Sequence, residues 1–234
     1  MRGVLTTFLR TALLRTAPIR SPLPTRLPWG AVRRERPLLL ATALTCAVDW
    51  NWPVLPGAAA GRDGCRCPRP DCPTPGAHPA DPSLLAATTD PRMVRWWWGR
   101  RPDAPVLVAT GGRVSAVSLP AAAGARVLEY FDTLRIRTGP VIATPTRYVL
   151  LVAPYTMQEL AELLIAQDWV PTSLRYHGTG GYVLLPPSRT GAGGVRWVRE
   201  PDTDAVPWLP TVGGLMEALV AASAATPDGE RLAY

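Results

Sequence analysis

The period of hydrophobic and polar positions changes repeatedly along the chain, and each change marks an element. Leu5, Phe8, Leu9, Ala12 and Leu13 recur at helical spacing, with Arg2, Arg10 and Arg15 beside them. Pro37–Asp49 predicts the first helix of the folded domain. Asn51 is suited to a left-handed stop, and W-P-V-L-P then predicts extended chain. Residues 56–86 predict a long loop. Asp90 can cap a helix with Pro91 at its first position, and that helix carries Met93, Val94 and Trp96–Trp98. Pro105–Ala109 and Val114–Leu119 read as strands, Ala121–Leu134 as a helix. Val141–Thr144 and Tyr148–Ala153 read as a strand pair about a turn at Pro145. Thr156 and Glu159 form a capping-box signature before a stripe of Leu160, Leu163 and Leu164. Gly181–Leu185 and Val195–Arg199 predict further strands, and Leu209–Ala225 a last helix. Strands and helices alternate without a regular βαβ beat, which predicts an α+β class.

Composition sharpens this outline. A chain of 234 residues, 47% hydrophobic with nine tryptophans, can build one domain with extensions. The expected division is a basic N-terminal arm over 1–36, one domain over 37–225 and a tail over 226–234. The net charge of +7 invites a nucleic-acid reading. Residues 1–36, however, hold Arg2, Arg10, Arg15, Arg20, Arg26, Arg33, Arg34 and Arg36 against Glu35 alone. The arm thus carries the whole excess, and the body is neutral. Contact of the arm with acidic lipid or nucleic acid, a floppy tail, and upstream sequence included by a misplaced start codon are all open readings; the tail and start-codon readings are preferred. All 25 basic residues are arginine, which excludes a Walker A loop and a lysyl Schiff base or nucleotidyl intermediate.

Cys46, Cys65, Cys67 and Cys72 are too few and too clustered for a secreted disulfide framework. Arg10 interrupts Leu5–Leu14, so no secretory leader is expected. No apolar run reaches the ~18 residues of a membrane span, and the expected location is cytoplasmic. Cys65, Cys67, Cys72 and His78 place three thiols and an imidazole within one short loop. A closed Cys3His set suits a structural zinc ion, which would order a segment with little to bury; free thiols are the other reading. Trp96, Trp97 and Trp98 lie about 100° apart on a helix, so they cannot share one face. Packing against a sheet is preferred for them over a base-stacking platform.

Three segments carry a resemblance when read together: G-C-R-C-P-R-P-D-C-P-T-P-G-A-H-P over 64–79, A-T-T-D-P-R-M-V-R-W-W-W over 87–98, and G-G-Y-V-L-L-P-P-S over 180–188. In this order they resemble the bifunctional DNA primase/polymerase (prim-pol) N-terminal domain family of the archaeo-eukaryotic primase superfamily. The resemblance spans roughly residues 37–200. It implies the prim-pol α+β fold, mixed sheets flanked by helices, with a Cys-rich loop. It also favours the metal reading of that loop, with Ala77 where the family has a lysine.

The resemblance further implies where metal-binding carboxylates should stand. A D-x-D pair would close the strand after V-L-V-A-T-G-G; Ser118 and Pro120 occupy its two positions. The third acid corresponds to Arg175. A nucleotide-holding histidine corresponds to Tyr148. No catalytic residue is therefore assigned, and neither Mg2+ nor Mn2+ is expected. Arg147, His177, Ser188 and Arg189 are candidate contacts to nucleic acid or nucleotide, with His177 placed in a Gly-rich loop. A degenerate primase/polymerase-like protein that binds DNA or a protein partner is the leading reading. An active primase with a displaced metal site, and a regulatory interaction protein with no nucleic-acid role, are the alternatives.

Overall fold

The computed structural model describes residues 29–61, 64–167, 170, 172–202 and 205–224. The helical pattern at Leu5–Leu13 lies outside the described residues. The first helix, α1, runs Trp29–Leu44 and passes into a single π-helical segment at Thr45–Asp49. It therefore starts before Pro37, which sits inside the helix. Asn51 then turns the chain at φ 55°.

The strands that follow are short. They are β1 (Val54–Pro56), β2 (Ala60–Gly61), β3 (Gly64–Cys65), β4 (Val106–Ala109), β5 (Ser115–Pro120), β6 (Val141–Ala143), β7 (Arg147–Val152), β8 (Arg175–His177), β9 (Tyr182–Leu185), β10 (Arg189–Thr190), β11 (Gly193–Gly194) and β12 (Arg196–Arg199). Interspersed helices are α2 (Pro91–Arg100), α3 (Ala121–Thr133), α4 (Met157–Ile165) and α5 (Gly213–Ala224). The class is α+β. Two sheets organise it: a three-stranded sheet ordered β1-β4-β9 and a five-stranded sheet ordered β12-β6-β7-β5-β8. Their ladders are antiparallel throughout the described residues.

Side-chain alternation explains how the five-stranded sheet divides the interior. On β5, Ala116 faces one core while Val117 and Leu119 face another; on β7, Val149 and Leu151 join the first, Leu150 and Val152 the second. The first core lies between this sheet, the three-stranded sheet and helices α1 and α2. The second is closed by α3, α4 and α5. α3 can lie close on β7 because Gly124 leaves room: a Cβ there would meet Tyr148 Cβ at 2.4 Å.

α2 follows its sequence signals. The Asp90 carboxylate accepts from Arg92 N–H at 2.8 Å with Pro91 at the first helical position. Val94, Trp97 and Trp98 are buried at i, i+3, i+4 spacing, whereas Trp96 is exposed and stacked with the Arg100 guanidinium at 4.6 Å. Trp98 Nε1 donates to Ala104 O at 3.0 Å, so its buried polar end is satisfied. Truncation of Trp98 to alanine would cost ~3–5 kcal/mol. α4 opens with the full capping box, Thr156 and Glu159 bonding reciprocally.

Two turns dock on each other and fix β8 beside β5. Thr110 N–H donates to Gly181 O at 3.0 Å and Thr110 Oγ1 donates to Gly178 O at 2.6 Å. Gly111, at φ 97°, passes so near Thr179 that a Cβ would lie 2.3 Å from its Cα. The V-A-T-G-G and H-G-T-G-G runs are thus two halves of one contact.

Candidate functional sites: a cysteine–histidine loop and a cationic sheet centre

The cysteine loop is pinned at both ends. Gly57 bridges Pro79, Ala58 N–H donates to His78 O at 2.9 Å, and Gly191 N–H donates to Pro75 O at 2.7 Å. Gly76 lies against the β10–β11 hairpin at φ 78°, where no side chain would fit beside Arg189 O at 2.5 Å. Within this frame the ligand atoms of Cys65, Cys67, Cys72 and His78 all lie within 4.8 Å of one another. A tetrahedral zinc site with ~2.3 Å arms has edges near ~3.8 Å, so the four atoms fit around one ion.

The chemistry of the set agrees. His78 Nε2 lies 3.3 Å from Cys65 Sγ and 3.2 Å from Cys72 Sγ, and Nδ1 is 2.7 Å from Pro79 O. A carbonyl only accepts, so Nδ1 carries the proton and Nε2 offers a lone pair. Burial opposes ionisation of Cys65. The N–H groups of Gly76 and Cys67, with His78, outweigh that and bring its thiol down to about 6. Cys72 moves up instead, through desolvation and its neighbouring thiols. The Cys65 thiolate therefore forms readily, while a bound cation would have to displace the proton of Cys72. Cys46 is separate: it is wholly buried on the π-helical segment that follows α1, and burial pushes its thiol well up.

The second site lies on the face of the five-stranded sheet that Ala116 and Val149 share. Ser118 stands opposite Val149 on one side and opposite Arg175 on the other; Pro120 stands opposite Arg147. Ser118 and Pro120 share a face by alternation, and cross-strand partners point the same way, so Ser118, Pro120 and Arg175 are neighbours. Tyr148 is not with them. It lies on the reverse face, packed on Gly124 of α3. Arg147, one residue earlier, enters the centre in its place.

Arg147 is held by three bonds. Nε donates to Ser118 Oγ at 3.0 Å, and Nη2 donates to Ser118 O and Ser173 O, both at 2.7 Å. Ser118 Oγ also lies 2.9 Å from His177 Nε2. His177 is on strand β8, opposite Ala116, rather than in the Gly-rich loop expected for it. Burial, then the Arg147 and Arg175 guanidiniums, pull its pKa down to about 4, so the imidazole is neutral at pH 7. Burial and Arg175 bring Arg147 down to about 10. Like charges crowd here, and the bonds that hold Arg147 go to hydroxyl and carbonyl oxygens.

Two other candidates have different roles. Ser188 is 1% exposed and its hydroxyl accepts from Val106 N–H at 2.8 Å. It clamps the end of β9 to β4, and its buried hydroxyl accepts a backbone hydrogen bond there. Arg189 is half-buried on β10, against the cysteine loop and away from Ser118 in the sheet order. β8 is absent from the sequence outline, as are the two-residue strands β2, β3, β10 and β11, and with β8 the pairing that joins His177 to Ser118.

Together these features define an α+β domain of two packed antiparallel sheets, a metal-capable Cys3His loop and a basic sheet centre. The family model described as "Bifunctional DNA primase/polymerase, N-terminal" matches residues 43–212, and the chain belongs to this prim-pol family. No curated protein and no solved structure matches the chain. No helix among the described residues is long and apolar enough to cross a membrane.

Proposed function

We propose that this chain is a prim-pol domain that binds nucleic acid and has no primer-synthesising chemistry of its own. The observation that carries the reading is the charge of the sheet centre. Two-metal nucleotidyl transfer needs carboxylates to hold both ions. The three positions that the family resemblance assigns to those carboxylates are Ser118, Pro120 and Arg175, adjacent on one face with Arg147 between β5 and the loop before β8. A serine hydroxyl is a poor lone ligand for Mg2+, a proline offers no side-chain donor, and guanidiniums repel divalent cations. Asp103 and Asp132, acids that follow the tryptophan helix, are engaged elsewhere by Arg66 and Arg199. The Cys65–Cys67–Cys72–His78 set holds a structural zinc ion on this reading, with all four positions filled by protein and none open to substrate.

The test is an extension assay on the purified chain with single-stranded template, dNTPs or NTPs and Mn2+. No template-dependent product is expected. Binding to single-stranded DNA is expected, weakening steeply with salt, and it persists when residues 1–28 are removed. Robust synthesis lost on changing Glu129 or Asp132 would overturn the reading.

A further inference from the structure

We propose that the basic face around Ser118 is a phosphate-binding site that works without a divalent cation, its ligand a terminal phosphate of a nucleotide or of a strand end. The inference rests on the reading of the chain as a non-catalytic prim-pol domain, and adds the ligand and the residues that take it.

The first observation is uncompensated charge. Arg147 and Arg175 stand close enough on β7 and β8 to depress Arg147's own basicity, and no described ion pair joins either of them to an acid. Holding a half-buried guanidinium beside a second, exposed one is costly unless an anion arrives. A phosphate carries the charge that the pair lacks, and its oxygens match the planar fork of arginine.

A second observation is preorganisation. Three hydrogen bonds use Nε and Nη2 of Arg147, fixing the plane of its guanidinium, and Nη1 takes no part in them. Arg175, paired with Ser118 in register, is exposed and forms the open side. The site thus has an anchored cation inside and a free one at the entrance. His177 completes the wall as a neutral group bonded to Ser118.

A third observation comes from the neighbouring helix. α3 begins at Ala121, directly after Pro120, whose partner across the sheet is Arg147. Its first turn has no acid and no side-chain cap. The start of that helix therefore lies beside Arg147, with no carboxylate in its first turn.

Binding is measured by calorimetry in buffer free of divalent cations and of chelator, so that the Cys3His loop is undisturbed. The probes are inorganic phosphate, dATP, and one single-stranded oligonucleotide with either a 5′-phosphate or a 5′-hydroxyl. The variant is R175Q, whose side chain is exposed, with R92Q on α2 as a control for net charge. Circular dichroism checks that both are folded. Phosphate-bearing probes are expected to bind the wild-type chain and R92Q alike, and R175Q roughly tenfold or more weakly. Tighter binding of the 5′-phosphate than the 5′-hydroxyl strand assigns the ligand to strand ends; dATP binding with equal strand affinities assigns it to free nucleotides.

The proposal is overturned if R175Q and R92Q bind every probe equally, or if binding needs added Mg2+. DNA binding that R175Q leaves intact would sink this inference and leave the proposed function standing. Uptake of phosphate or dATP with no affinity for either strand would do the reverse. Absence of binding to any probe overturns both.

Discussion

The cysteine loop and the centre of the five-stranded sheet meet opposite electrostatic demands with the same kind of side chain. The chain has two histidines, and each region holds one. His78 gives its Nδ1 proton to a carbonyl and turns a lone pair toward three thiols. His177 is buried beside two guanidiniums and bonds a serine. One group of neighbours favours a cation and the other an anion. On the reading proposed above, the scaffold of the domain and its chemistry are separable. The loop keeps a complete ligand set while the centre has no carboxylate at the matching positions. A metal that holds a loop together needs only its own four ligands, whereas catalysis needs acids placed across two strands, β5 and β8.

The largest expected effect breaks the loop side of this comparison. C72S should lower bound zinc from about one ion per chain to near none, by elemental analysis, with new proteolytic cleavage between residues 57 and 79. Unchanged zinc content would show that the four residues do not hold the ion.

An intermediate effect tests the centre. The folded state holds His177 at about 4, below the ordinary 6.5. Between those values the unfolded chain takes up a proton that the folded chain refuses, so stability rises with pH across the window and is lost as pH falls through it. The loss should approach ~3 kcal/mol by pH 4. Arg147 on β7 and Arg175 on β8 are the charges that bear on this imidazole, with Ser118 on β5 its hydrogen-bond partner. Urea denaturation of wild type and H177Q at pH 7 and pH 4.5 isolates the effect. Acid loss of the loop metal is common to both proteins, and H177Q should lose less stability. Parallel losses would show that His177 is not the depressed group.

The smallest effect sharpens the account of the loop. Arg66 and Asp103 pair at 2.9 Å at the edge of the cysteine loop, with Arg66 64% exposed. R66A should cost under ~1 kcal/mol and leave zinc content unchanged. A large loss would mean that the ion pair, rather than the metal, orders the segment.

Local signals were readable where the physics is local. Asp90 with Pro91, the Thr156–Glu159 box and the alternation of β5 and β7 each act within a few residues, and each lies where the sequence puts it. The ligand cluster was legible because all four residues sit in one tight loop. β8 was not, because Arg175–His177 is three residues long, runs into glycines and becomes a strand through its pairing with β5. The start of α1 was hidden by Pro37, whose place inside a helix has no signal in the local pattern. Arg147 was named as a contact residue, but its neighbour Tyr148 was set at the family's histidine position. One residue of register moves a strand side chain to the other face, and the structure puts Tyr148 behind the sheet.

Strand order also sets the sequence in which these parts can come together. β6 and β7 form a hairpin and β5, one helix earlier in the chain, pairs with the other edge of β7, whereas β4 must find β9 far downstream, and β1 must close over the cysteine loop to reach β4. Contacts between near neighbours in the chain form first, and long closures come late. β8 lies at the edge of the sheet and follows α4 in the chain, so Arg175 reaches Arg147 through a longer closure than the β6–β7 hairpin requires. The repulsion between the two guanidiniums therefore falls on an edge strand. That strand is the one whose hold on the sheet an arriving anion would strengthen.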